Sequence, residues 1–271
     1  MRATLISSIL AISVASTSAW ADSSGFSVTE DVSFGELPRQ TLDIYTPEGV
    51  TDDTPVLIYM FGGGFFRGDK TQARTIGPRF AESGAFVVAP NYRVNTSFPN
   101  FVEDAAMAVA FVWRELRTSS DEPREIVMSG WSSGAYIGAK VSYDGRYLEA
   151  EGIPTDAITG FIGLAGPYRG GLCAGSRCPN TFVPGTEADW PVVDFVDPDD
   201  PPMLLIHAEL DRQVDIGNLE ELASAGRKSN IDVSTLIAER RTHMRIMNDM
   251  PVADTEVHSA VKAFINETLS K

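Results

Sequence analysis

The stretch Glu125-Ile126-Val127-Met128-Ser129-Gly130-Trp131-Ser132-Ser133-Gly134-Ala135 runs from an apolar strand into a glycine-flanked serine and on into helix-forming residues. A strand-to-helix turn this tight lifts its central side chain above the sheet edge, which makes Ser132 the candidate reactive group. Gly130 and Gly134 stand where a side chain would collide with the neighbouring strand and helix. Ser133 comes next, and its backbone N–H faces the place where negative charge develops on an attacked carbonyl. An ordinary Gly/Ser turn carries the same pattern. A base, an acid and a second donor in the right order separate the two readings.

A serine hydroxyl is a weak nucleophile until a neighbouring base takes its proton. The chain holds three histidines. His207 ends an apolar strand and reads as a structural residue near the strand tip. His258 lies on the last helix beside Asp254 and Lys262, on what reads as its solvated side. His243 follows the last strand in a loop that can reach over the sheet edge toward Ser132, and it is the favoured base. The acid is expected between serine and histidine, in His207-Ala208-Glu209-Leu210-Asp211-Arg212-Gln213-Val214-Asp215. Asp211 is preferred, with Glu209 and Asp215 as alternatives that could instead cap the next helix or face solvent. Its carboxylate would accept the imidazole N–H and fix the tautomer. The second donor is expected from Gly62-Gly63-Gly64, which follows the first apolar strand and exposes successive backbone N–H groups.

Working outward, Phe26 to Phe34 and Gln40 to Tyr45 alternate as two antiparallel edge strands. Val56-Leu57-Ile58-Tyr59-Met60 and Phe86-Val87-Val88-Ala89-Pro90 are continuous apolar runs, as in strands buried on both faces. A helix is predicted over Thr71–Ser83. The stripe Phe101, Ala105, Ala108, Val109, Val112, Trp113 and Leu116 marks another, with Trp113 as packing. Strands follow at Gly160–Leu164, Met203–His207 and Val233–Ile237, with a helix over Leu219–Arg227. A last helix gathers Val257, Val261, Phe264, Ile265 and Leu269. Such alternation demands a mostly parallel sheet of about eight strands flanked by helices, an α/β architecture. The Gly-, Pro- and Asp-rich stretch 167–202 reads as a cap or rim insertion.

Residues 1–21 stand apart. Arg2, the apolar run Leu5 to Val14 and Ala19-Trp20-Ala21 have the layout of a secretory signal peptide, leaving one domain over 22–271. The product is expected to be exported, periplasmic or secreted. In that setting Cys173 and Cys178, the only cysteines, are expected to form a disulfide closing a small loop. Two cysteines and three scattered histidines offer no spaced metal-ligand set. The net charge of −15 disfavours nucleic acid and anionic membranes as partners.

Taken together, Gly62-Gly63-Gly64, Gly130-Trp131-Ser132-Ser133-Gly134, Asp211 and His243 resemble the α/β-hydrolase fold, on the esterase/lipase branch with an H-G-G-G-type oxyanion loop. Gly68-Asp69-Lys70, Asn91-Tyr92-Arg93, Glu103-Asp104 and Leu164-Ala165-Gly166-Pro167-Tyr168 are similar as well, so the likeness runs from about Phe34 to the C-terminus. The resemblance implies that the N–H groups of Gly63, Gly64 and Ser133 bind the oxyanion. It also implies a small ester as substrate and no cofactor. Phe61 stands where that branch has histidine, which removes hydrogen bonds from the loop. Trp131 stands where histidine is common and is expected to narrow the floor beneath Ser132. The expected activity is that of an exported serine hydrolase of carboxylic esters. An amide or formamide hydrolase with the same triad and a non-catalytic binding protein on the same scaffold are the alternatives. Phe65, Phe66, Phe98, Trp131 and Trp190 are candidates for an apolar lining or for core. Oligomeric state leaves no mark on the sequence.

Overall fold

The computed structural model describes residues 25–171 and 181–268. Residues 1–21, expected above to be a leader, the pair Cys173 and Cys178, and Leu269 lie outside the described residues. Eight strands form one sheet: β1 Phe26–Ser33, β2 Thr41–Pro47, β3 Val56–Met60, β4 Phe86–Pro90, β5 Ile126–Trp131, β6 Gly160–Leu164, β7 Met203–Ala208 and β8 Val233–Ala238. Their spatial order is β1-β2-β4-β3-β5-β6-β7-β8. β1 and β2 pair antiparallel at one edge, and every pairing from β4 to β8 is parallel.

The apolar runs behave as their composition dictates. Every residue of β3, β4, β5, β6 and β7 is buried, as in strands covered on both faces. β1, which is mostly exposed, takes the edge. The helices are α1 Ile76–Ala81, α2 Asn100–Glu115, α3 Ser133–Tyr143, α4 Arg146–Ala150, α5 Gly217–Lys228, α6 His243–Asp249 and α7 Glu256–Thr268. α3 is buried along its whole length, against β3, β5, β6 and α2. A helix with no wet face is held by packing rather than by its own propensity, so its position relative to the sheet is tightly set.

The helix expected over Thr71–Ser83 is divided. Lys70–Arg74 is a 3₁₀ turn, and α1 begins only at Ile76. Pro78 explains the break: it has no N–H to donate, and its ring would strike the carbonyl four residues earlier in a continuous helix, but it is tolerated in a first turn. Within the 167–202 stretch, short 3₁₀ turns form at Glu187–Asp189 and Val192–Phe195. This stretch packs inward, because the Tyr136 hydroxyl of α3 donates to the Trp190 carbonyl at 2.8 Å. Phe182 meets Phe65, Tyr136 and Trp190 with ring centroids 5.2, 5.7 and 5.2 Å away, all near edge-on. Phe65, Phe98 and Trp131 are core residues, while Phe66 and Trp190 are half-buried.

Candidate active site

β5 ends at the centre of the sheet, and Ser132 turns the chain from strand to helix in one residue. Its φ of 55° lies in the left-handed region that side chains avoid. Its N–H still extends the ladder to the Leu164 carbonyl at 2.8 Å, while its own carbonyl already accepts from Tyr136 N–H at 3.1 Å. Both flanking glycines are needed because backbones touch there. A Cβ at Gly130 would lie 2.5 Å from the Gly134 carbonyl, and one at Gly134 would be driven into the carbonyl oxygens of Met60 and Phe61. The elbow is therefore wedged against the end of β3, where the glycine loop begins.

His243, the first residue of α6, points back over that edge. Its Nε2 is 2.9 Å from Ser132 Oγ, and its Nδ1 is 2.6 Å from Asp211 Oδ2. Asp211 sits in the turn after β7, with Oδ1 accepting the N–H groups of Gln213 and Val214 at 2.8 and 3.0 Å. Burial alone would raise the carboxyl's pKa. The His243 bond and the two backbone donors outweigh it and hold the group below the usual carboxylate range. An ionised Asp211 can only accept, so Nδ1 carries the proton and the Nε2 lone pair faces the serine hydroxyl. The structure thus brings together Ser132, His243 and Asp211, three residues far apart in sequence.

The competing candidates fall elsewhere. Glu209 accepts the Arg240 N–H at 2.6 Å, and Asp215 accepts the Gly217 N–H at 3.0 Å and pairs with Arg169. His207 is buried with Nε2 3.8 Å from Asp211 Oδ2, behind the acid and on the strand tip. Burial lowers its pKa despite the attraction of Asp211, so it is neutral near pH 7. His258 is not on a solvated side. Its Nδ1 is 2.9 Å from the Met250 carbonyl and its ring packs 5.5 Å from Phe80 of α1. Asp254 and Lys262 are exposed, but His258 itself is buried.

The glycine loop is held by side chains to which the sequence assigned no such role. Gly62 N–H donates to Gln72 Oε1 at 2.9 Å, and the Tyr59 hydroxyl donates to the same oxygen at 3.2 Å. The Tyr92 hydroxyl donates to the Phe61 carbonyl at 2.9 Å, and the rings of Phe61 and Tyr92 stack 4.1 Å apart. The Phe61 departure therefore does not leave this loop loose: stacking and Gln72 take over the bracing. Of the three expected oxyanion donors, Gly63 N–H is engaged by the Ser133 hydroxyl at 2.9 Å. An oxyanion can use that donor only by displacing Ser133 Oγ. Ser133 N–H opens α3, where helix-end amides favour negative charge.

Arg93 and Asp104 explain two of the quoted stretches. The Arg93 guanidinium and backbone N–H both bond the buried Asp104 carboxylate, at 2.8 and 2.7 Å, which ties the end of β4 to α2 behind the loop. Gln72 lies in a stretch whose sequence suggested only a helix, so no local signal marked it. Tyr92 lay within Asn91-Tyr92-Arg93 but without a role. Among the described residues no cluster of His, Cys, Asp or Glu could hold a metal ion. No described helix is long and apolar enough to cross a membrane.

A family model described as BD-FAE matches residues 42–152. A probable isoprenylcysteine alpha-carbonyl methylesterase of Oryza sativa subsp. japonica is 36% identical over 117 residues, covering 41% of this chain and 27% of that protein. An isoprenylcysteine alpha-carbonyl methylesterase of Arabidopsis thaliana is 24% identical, covering 90% of this chain and 64% of its own length. The chain thus spans less than two thirds of the length of these curated relatives. Among solved structures, a truncated carbohydrate esterase from gut microbiota matches with a TM-score of 0.75 at 20% identity, covering 92% of this chain and 99% of that one. A propionate-bound esterase from the planctomycete Thermogutta terrifontis matches with a TM-score of 0.73 at 21% identity, covering 90% and 94%. The chain has the α/β-hydrolase fold, and its similarities run to the esterase/lipase branch.

Proposed function

We propose that this chain is an exported serine hydrolase that cleaves small carboxylic esters. The observation that carries the reading is the continuous run from Asp211 Oδ2 through His243 to Ser132 Oγ, at 2.6 and 2.9 Å, ending on the elbow. Ser132 Oγ attacks the acyl carbon while His243 Nε2 takes its proton. The carbonyl π pair moves onto oxygen, and Asp211 stabilises the imidazolium that forms. The tetrahedral intermediate collapses by breaking the bond to the alcohol oxygen, which leaves with the proton from Nε2. Water, deprotonated by His243, then cleaves the acyl-enzyme and restores Ser132.

The oxyanion is held by Ser133 N–H together with the glycine loop. Each such donor contributes about 10²–10³ in rate. Gly63 joins when the Ser133 hydroxyl turns away, and Gly64 is the third donor. The esterase names carried by the relatives support an ester over other acyl substrates, and the leader read at residues 1–21 supports export.

The test is active-site labelling joined to turnover. A fluorophosphonate probe should modify Ser132 on the folded chain, and p-nitrophenyl acetate should be hydrolysed. Ser132→Ala should abolish both, with a fall in kcat of roughly 10⁴ or more. An unlabelled Ser132 in the folded protein, or unchanged hydrolysis by the variant, defeats the reading.

A further inference from the structure

Trp131, the last residue of β5, is absorbed neither by the triad nor by the oxyanion donors, yet it touches His243 and Gly62 of the glycine loop. It is 5% exposed, and its indole Nε1–H donates to the His243 backbone carbonyl at 2.9 Å. The indole and imidazole centroids are 5.0 Å apart at 45°. On its other side the six-membered ring lies against the backbone of Gly62, so that a Cβ there would be driven into Cε3 of the indole. One rigid plate thus separates and spaces the glycine loop and the residue whose Nε2 must meet Ser132 Oγ.

The start of α6 needs such a hold. Thr242, its N-cap residue, makes no side-chain capping bond. Arg241, just before the N-cap, and Arg245 both pair with Asp249, and the Arg241 carbonyl accepts from Leu210 N–H at 2.9 Å, but neither contact reaches the main chain of His243 itself. At the near end the imidazole is fixed through Nδ1 by Asp211, but a ring can pivot about its own Cβ while the backbone shifts. The indole bond fixes the backbone itself. The geometry points to Trp131 as a positioning residue: its N–H anchors the His243 main chain, and its ring face sets the height of Gly62, so that base and oxyanion loop keep one spacing about Ser132. A smaller residue at this place, or an imidazole, lacks the span to meet both partners. This inference rests on the proposed catalytic role of Ser132 and His243.

The test separates the N–H from the plate. Trp131→Phe keeps an aromatic face beneath Gly62 and removes the donor. It should lower kcat about tenfold, as the loss of one neutral hydrogen bond does, while KM stays within about twofold. Trp131→Leu removes the plate as well and should lower kcat further. Trp113→Phe, a half-buried tryptophan on α2, should leave kcat unchanged and controls for general loss of packing. Should Trp131→Phe fold poorly, benzothienylalanine placed at position 131 keeps the ring shape and replaces only the N–H by sulfur. It should reproduce the tenfold loss in a protein that still folds. If the wild type turns over ester and either of these donor-free variants retains kcat within twofold, the positioning role is overturned while the catalytic reading stands. If the wild type neither turns over ester nor takes up the fluorophosphonate, the catalytic reading itself has failed.

Discussion

The Asp211–His243 pair, the proposed acid–base arm, and the glycine loop meet at Ser132, but they are held by opposite means. Asp211 is fixed by backbone N–H groups two and three residues ahead in its own turn, and it holds His243 by a charged hydrogen bond. The loop at 61–64 carries no charge. It is held by neutral groups on distant segments: Gln72, Tyr92 and Ser133, with the indole of Trp131 beneath. One arm is a short local device with a single indispensable link. The other is a brace with several supports, each weaker than a charge-assisted bond. Under the proposed function, the loop can lose one support at a time, whereas the arm cannot lose its one link.

That contrast can be broken most sharply at Asp211. Asp211→Asn keeps the shape of the turn but offers an amide that can present its N–H to Nδ1 and reverse the histidine tautomer, so kcat should fall by about 10³–10⁴ near neutral pH. A loss below tenfold on p-nitrophenyl acetate would mean that the arm is as redundant as the loop. Next in size is Gln72→Leu, which leaves Gly62 N–H without its acceptor. It should reduce kcat by about tenfold and stability by ~1–3 kcal/mol in denaturant unfolding, because a buried donor loses its partner while the other braces remain. Adding Ser133→Ala should then cost more than it does alone. Strict additivity of the two would show that the supports do not share load.

The smallest effect is in pH dependence. The pKa of His207 is below its unfolded value because it is buried, so as pH falls the unfolded chain takes up a proton before the folded one does. Stability is therefore intact above about pH 6.5 and is lost as pH falls from there toward the folded pKa. Asp211 adds a second loss at lower pH, since its depressed pKa favours folding only while the unfolded carboxyl is ionised, above about pH 3.9. The glycine loop has nothing comparable, as burial raises the pKa of its Tyr92 far from this range. His207→Leu should flatten the upper part of this slope in thermal unfolding between pH 4 and 7. An unchanged slope would place the titrating group elsewhere.

The two regions were also unequally legible. Ser132, His243 and Asp211 can be proposed from sequence because the proposed chemistry demands particular residue types in a particular chain order, and the structure places the three within hydrogen-bonding distance. Glu209 and Asp215 were separated from Asp211 only by geometry, since all three occupy one turn. Gln72 was invisible because a glutamine in a predicted helix reads as surface, and its partner Gly62 lies ten positions away across the glycine loop. The same limit applies to His258. Amphipathic spacing shows which residues of α7 are polar, but not that Phe80 from a helix far earlier in the chain packs against His258. Trp131 stood inside the motif itself and still could not be assigned, because its partner His243 is 112 residues further on.

The backbone of Ser132 has one more consequence. At φ 55° a side chain costs ~1–3 kcal/mol of strain that glycine does not incur, while glycine's extra freedom in the unfolded chain costs ~0.5–1 kcal/mol. The first outweighs the second, so Ser132→Gly should melt a few degrees above Ser132→Ala, which keeps the strain and equally lacks the hydroxyl. A lineage kept only for thermal endurance would drift toward glycine at this position and fall silent. Under the proposed function, the strain at Ser132 is the cost of holding a hydroxyl at the tip of the elbow.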